Sequence, residues 1–215
     1  MARPRSENKR ERILQAATRV FAREGYFSAR VAEIARRARV ADGTIYLYFR
    51  SKEHILTSLF DEIMAEHVEA ARREVRGIAG AGEELRAIAD HHLGLLGGNR
   101  DLAVVFQVEF RQSTQFMDRF TRTWFGTYLD LLADVIGRGQ AAGTIRDDLP
   151  PRLIARAFFG ALDEMVTSWI LSKRKGQLRA MAAPVVELFL GGAAAGGRGS
   201  RQQRPALASA PSTGG

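Results

Sequence analysis

The residues best placed to do chemistry stand in one stretch, Val31 to Lys52, VAEIARRARVADGTIYLYFRSK. Thr44, Tyr46, Leu47 and Tyr48 follow Asp42 and Gly43. What they offer is contact with a partner, because two tyrosines and a leucine left outward on one short helix form a patch that seldom goes unused. Gly43 lacks a side chain, so backbone there approaches a neighbour closely. Arg30 lies just before the stretch and Lys52 ends it at a helix start, where free amides already attract phosphate. Other chemistry has little support. His91 and His92 are adjacent, and neither they nor His54 and His67 have an acid-rich cluster at i, i+4 spacing, so no metal is expected. The chain has no cysteine, which removes disulfides and thiolate metal sites. No Gly-rich phosphate loop, Ser-His-Asp or Cys-His arrangement is suggested. Asp163 and Glu164 are paired carboxylates on an apolar helix and suit a polar contact with a ligand or dimer partner better than acid-base work. No enzyme and no cofactor are expected.

The elements that must position Thr44 to Tyr48 follow from periodicity. Val31, Ile34, Ala35 and Ala38 share one helical face, Arg39-Val40-Ala41 breaks the run, and Asp42 is placed to cap a second, shorter helix. Ile45 and Phe49, at i and i+4, pack that helix on the first. In a helix-turn-helix of this kind the second helix lies in the DNA major groove. A preceding helix is predicted over 9–24, with an apolar stripe of Ile13, Ala16, Ala17, Val20 and Phe21 ended by Gly25. Residues 1–8 are expected to lack fixed structure. Tyr26 and Phe27 are expected to cover the base of the three-helix core, and Ser28 to cap the second helix. Ser51 is the expected cap of the helix that starts at Lys52.

Charge divides the chain in the same place. Residues 1–54 hold 13 Lys or Arg against 6 Asp or Glu, whereas residues 55–191 hold 16 against 18. A basic quarter joined to a nearly neutral body is the footprint of a nucleic-acid reader fused to a second unit. Helices are predicted over 52–79, 83–96, 101–112, 114–142, 151–172 and 177–190, with glycines and Pro150-Pro151 as punctuation. After Gly191 the composition becomes Gly, Ala, Ser, Pro, Arg and Gln, the signature of a disordered tail. The predicted class is therefore all-α: an N-terminal three-helix helix-turn-helix domain, residues 1–51, a C-terminal helical domain, 52–191, and a tail, 192–215. No apolar stretch reaches membrane-spanning length and no secretory-type leader is seen, which fits the cytoplasm.

Gly25-Tyr26 followed by VAEIARRARVADGTIYLYFRSKEHIL resembles the DNA-binding domain of the TetR family of bacterial repressors, over residues 9–60. Two positions depart from the family pattern. Arg39 stands where glycine is usual in the inter-helix turn, so either a left-handed residue is tolerated at a cost of about 1 kcal/mol or the turn differs. Ala29 and Arg30 replace small hydroxyl residues, and Arg30 supplies by charge the phosphate contact those would make. VADGTIYLYFRSKEHILTSLF, GALDEMVTSWILSKRKGQL and VEFRQS are similar to the branch that represses fatty-acid-degradation genes and releases DNA on binding long-chain acyl-CoA.

The resemblance implies a homodimer on a palindromic operator, with the last two helices as the dimerising pair and a small-molecule inducer in the C-terminal domain. An acyl-CoA receptor needs an apolar tunnel with cations at its mouth. Seven aromatic residues fall within 23 positions from Phe106 to Tyr128. The candidate ligand residues are Phe106, Phe110, Arg111, Phe120, Arg122, Trp124, Tyr128, Phe158, Leu162 and Trp169, although pockets share such residues with ordinary cores. Three rival readings remain. A multidrug-responsive repressor would turn Glu109 or Asp163 into the pocket, a CoA-thioester enzyme would turn over a thioester, and an architectural DNA binder would ignore sequence.

Overall fold

The computed structural model describes residues 5–112, 124–172 and 176–193, and side chains throughout these except at 5–8, 110 and 193. Nine α-helices and no strand occur among the described residues, in keeping with the all-α class. They are α1 Arg5–Glu24, α2 Val31–Ala38, α3 Asp42–Tyr48, α4 Lys52–Glu74, α5 Ala81–Gly98, α6 Arg100–Val104, α7 Gly126–Ala141, α8 Pro151–Leu171 and α9 Ala182–Ala193. A π-helical turn, Val105–Glu109, and a 3-10 turn, Phe110–Gln112, follow α6, and a second 3-10 turn, Leu178–Met181, leads into α9. None of the described helices is long and apolar enough to cross a membrane.

The chain buries two cores. In the first, Ile13, Ala17 and Phe21 of α1 meet Ile34 and Ala35 of α2, Ile45 of α3, Phe49, and Ile55 and Leu56 of α4. Each large apolar side chain buried here stabilises the fold by about 1.5–3 kcal/mol. This core extends along α4 to Met64, so the helix that opens the second unit is also a wall of the first. In the second core, α5 lies at the centre and touches α4, α7, α8 and α9. Its Leu85, Ile88, Ala89 and Leu93 are fully buried. Gly139 lets α7 press against the start of α5, because a Cβ there would stand 2.8 Å from the Ala81 Cβ.

Arg39 adopts the left-handed conformation, φ 55 and ψ 50, so the glycine-like turn is kept without glycine. Its geometry closes a Schellman-type cap in which Val40 N donates to Ala35 O at 3.0 Å. The Arg12 guanidinium of α1 donates to the Ala38 and Arg39 carbonyls and satisfies acceptors that a helix end otherwise leaves open. Substituting Arg39→Gly is expected to stabilise the protein by up to about 1 kcal/mol, read as a rise of a few degrees in the thermal unfolding midpoint.

Several local expectations change. Helix α1 begins at Arg5, not Lys9, since nothing after Pro4 breaks a helix. Arg30 rather than Ser28 occupies the α2 cap, and Ala41 rather than Asp42 that of α3, neither with a side-chain cap bond. Asp42 lies in the first turn instead, where a carboxylate favours the helix dipole. Phe27 is 65% exposed, so only Tyr26 covers the core. Ser51 caps α4 as predicted, accepting from His54 N at 3.0 Å. The predicted helix over 101–112 changes to π and 3-10 turns after Val104. The last helix runs to Ala193, past the expected start of the tail, and the rest of that tail lies outside the described residues.

Candidate functional site

The exposed face of the helix-turn-helix is built by the packing of α3. With Ile45 and Phe49 turned into the core, Tyr46 is 58% and Leu47 81% exposed on the opposite face. Arg30, Asp42 and Gly43 are exposed as well, and Thr44 is half-buried. A Cβ at Gly43 would meet nothing within 4 Å, so the approach to this backbone is open. Tyr48 is half-buried against the first core and shares less in the outer face. Lys52 is placed differently from the expected free phosphate ligand. Its Nζ donates to Phe27 O at 2.9 Å and Ala29 O at 3.0 Å and sits 4.8 Å from the centre of the Tyr26 ring. An ammonium has three donors, so one is left over from these two bonds.

A cavity of about 240 Å³ lies within the second unit, small for a binding pocket. Helix α4 contributes Phe60, Met64 and His67, and α5 contributes His92, Leu95 and Leu96. The segment after α6 adds Phe106, Gln107 and Arg111, and Phe125, Tyr128, Phe159 and Asp163 complete the wall. Arg111 Nη2 is 2.6 Å from Asp163 Oδ1, and Gln107 Nε2 donates to the same oxygen at 2.8 Å.

The predicted ligand residues divide accordingly. Phe106, Arg111 and Tyr128 line the cavity. Phe158 and Leu162 are fully buried in the second core away from it. Trp169 donates its Nε1 to Gly176 O at 2.8 Å under the Arg100 guanidinium, and Trp124 donates to Asp61 Oδ1 at 3.1 Å. The side chain of Phe110, and Phe120 and Arg122 entirely, lie outside the described residues. His67, His92, Gln107 and Phe159 were not singled out as ligand residues, whereas Asp163, read as suited to a polar contact with a ligand or partner, also lines the cavity. For the two histidines the signal was a polar group on a buried stripe: His92 falls in register with Leu85, Ile88 and Leu96, and His67 three residues after Met64.

The histidines stand close together, and among the described residues no three His, Asp or Glu gather as metal ligands. The His67 ring stands 4.9 Å from that of His91 and 5.2 Å from that of His92, and Tyr128 Oη lies 3.3 Å from His92 Nδ1. Burial pushes all three imidazoles below their ordinary value, His92 to about 4, and raises the Tyr128 hydroxyl. At neutral pH the cavity wall therefore holds neutral imidazoles.

One segment joins the cavity to the first core. The π turn sends Phe106 and Gln107 into the cavity and buries Val105 in the first core. Glu109, 6% exposed, accepts from Tyr26 N at 2.6 Å, next to Gly25. Phe106 stacks on Phe60 of α4 with ring centroids 3.9 Å apart.

The comparisons with known proteins fit this architecture. Residues 13–59 match the model for bacterial regulatory proteins of the tetR family, and residues 60–192 that for the C-terminal region of YsiA-like proteins. The chain belongs to the TetR family of transcriptional regulators. Within it, the chain resembles the fatty-acid branch: it is 39% identical over 180 residues to the fatty acid metabolism regulator protein of Bacillus subtilis, covering 84% of this chain and 93% of the relative. The Bacillus subtilis FadR structure in complex with stearoyl-CoA superposes with TM-score 0.80 at 38% identity, covering 85% of this chain and 98% of that one. The fatty acid degradation regulator FadR of Bacillus halodurans gives 0.79 at 38% identity, with the same coverage of both chains.

Proposed function

We propose that the chain is a cytoplasmic repressor that binds a palindromic operator as a homodimer, is released by long-chain acyl-CoA, and controls fatty-acid-degradation genes. The observation that carries this is the π turn, whose Phe106 and Gln107 wall the cavity while its Val105 and Glu109 pack on the DNA reader. A ligand that prefers one arrangement of this turn shifts α4 and the α1–α2 loop together, and so changes the spacing of two recognition helices. In this reading residues 1–51 bind DNA and residues 52–191 bind ligand and partner. Arg30, Asp42, Gly43, Thr44, Tyr46, Leu47, Tyr48 and Lys52 face the operator, with Tyr46 and Leu47 foremost. The relative's complex with stearoyl-CoA supports an acyl-CoA inducer.

Dimerisation is assigned to α8 and α9. Leu153 and Leu188 are 53% and 81% exposed on either side of a groove floored by Ala161 and Val185, and a two-fold copy would cover them as a four-helix interface. The multidrug alternative loses its anchor. Asp163 reaches the cavity already paired with Arg111, and Glu109 turns toward the Tyr26 amide.

Selection of duplexes from a random pool supplies the operator for a test. At matched salt the selected palindrome is expected to bind at least about 10³-fold tighter than its scrambled sequence. Tyr46→Ala is expected to weaken the palindrome about tenfold or more and leave scrambled DNA unchanged. Equal affinity for the two duplexes would replace this reading with the architectural one.

A further inference from the structure

Three buried side chains around the cavity carry hydrogen-bonding atoms that meet no partner among the described residues. His67 is 4% exposed with neither ring nitrogen bonded, His92 is 7% exposed with Nε2 unbonded, and Gln107 is 9% exposed with Oε1 unbonded. They come from α4, α5 and the π turn, and all three line the same space. A buried polar atom left unpaired costs about 1–3 kcal/mol, and native folds keep few of them. Ring packing alone does not account for the histidines, since phenylalanine would stack equally well without stranding a nitrogen.

We propose that His67, His92 and Gln107 form a neutral hydrogen-bonding subsite for an oxygen-bearing group of the ligand, either the thioester carbonyl or a hydroxyl or keto oxygen on the acyl chain. The proposal rests on the reading of this cavity as an acyl-thioester site. Tyr128 Oη pairs with His92 Nδ1, and in the tautomer in which the hydroxyl donates, the His92 proton sits on Nε2 and is offered to a carbonyl or hydroxyl oxygen. Gln107 donates its amide to Asp163 and keeps Oε1 as an acceptor for a ligand hydroxyl or amide N–H. Both lining histidines are held neutral by burial, and Arg111 is engaged by Asp163, so a carboxylate or phosphate at this place would find no free counter-charge among these groups. The group received is uncharged.

Calorimetric titration of the full chain with three probes tests this: stearoyl-CoA, its thioether S-octadecyl-CoA, which lacks the carbonyl, and 3-hydroxystearoyl-CoA. If the thioester oxygen occupies the subsite, S-octadecyl-CoA binds about tenfold more weakly than stearoyl-CoA. If a chain oxygen does, 3-hydroxystearoyl-CoA binds about tenfold more tightly. Either difference is expected to shrink below about twofold in His67→Phe or His92→Phe, and the wild-type comparison stands without them should they fail to fold. Equal binding of all three probes to the wild type, or a difference that persists in both variants, would overturn the subsite. Binding of none of the three would overturn the acyl-thioester reading itself and the subsite with it.

Discussion

Acidification from pH 7 to pH 4 is expected to cost the fold about 3 kcal/mol through His92, whose buried imidazole titrates at about 4 instead of its ordinary 6.5. The sign follows from proton counting. Below pH 6.5 the unfolded chain takes up a proton that the folded cavity refuses. Stability is therefore complete above that pH, falls through pH 5, and stops falling from this cause below about 4. His67, lowered by burial and by the neighbouring His92 and His91, acts in the same direction. Asp163 is the one charge that works against the shift at His92. For a chain of this size 3 kcal/mol corresponds to about 6–12 °C in the melting midpoint. Thermal unfolding of the wild type and His92→Phe across pH 7 to 4 checks it. The variant should show a clearly shallower decline, and parallel curves would contradict the assignment.

Replacing Glu109 with alanine is expected to destabilise the protein by about 2–3 kcal/mol, or about 5–10 °C. The buried carboxylate accepts from the Tyr26 amide across 83 positions of sequence and fastens the π turn to the α1–α2 loop. Loss of a charge-assisted bond in a dry setting leaves this amide without its carboxylate. Glu109→Gln keeps an acceptor oxygen and should recover about half of the loss. The same substitution to alanine should also weaken communication, so that acyl-CoA alters operator affinity less than in the wild type. An unchanged midpoint in Glu109→Ala would show that the contact contributes nothing.

The sequence revealed most of the first core because its signals are local. Ile45 and Phe49 at i, i+4 on a short helix left Tyr46 and Leu47 only the outside. Gly25 ended α1 at φ 76, as the periodic stripe before it required. The turn at Arg39 was legible as a question, and its answer depends on Arg12, 27 residues away, which periodicity does not reveal. The cavity was harder to read because a tunnel and a core ask for the same residues. Phe106 and Phe158 look alike in sequence, yet one faces the cavity and the other packs 4.8 Å from Phe189 in the core. Polar groups were the better guides. His92 and Gln107 interrupt buried faces where an apolar residue would pack without cost, and a ligand can repay that interruption. The change from α to π geometry at Val105 depends on tertiary packing, so Glu109 gave no local sign of its link to Tyr26.

The central claim is that ligand in the cavity lowers affinity for DNA. Its most direct test is fluorescence anisotropy of the labelled, selected operator with the full chain, titrated with and without saturating stearoyl-CoA. A coupling free energy of about 1–3 kcal/mol predicts an affinity lowered about 5- to 150-fold, together with the same factor in stearoyl-CoA affinity when operator is present. An operator titration unchanged by saturating stearoyl-CoA would contradict the account.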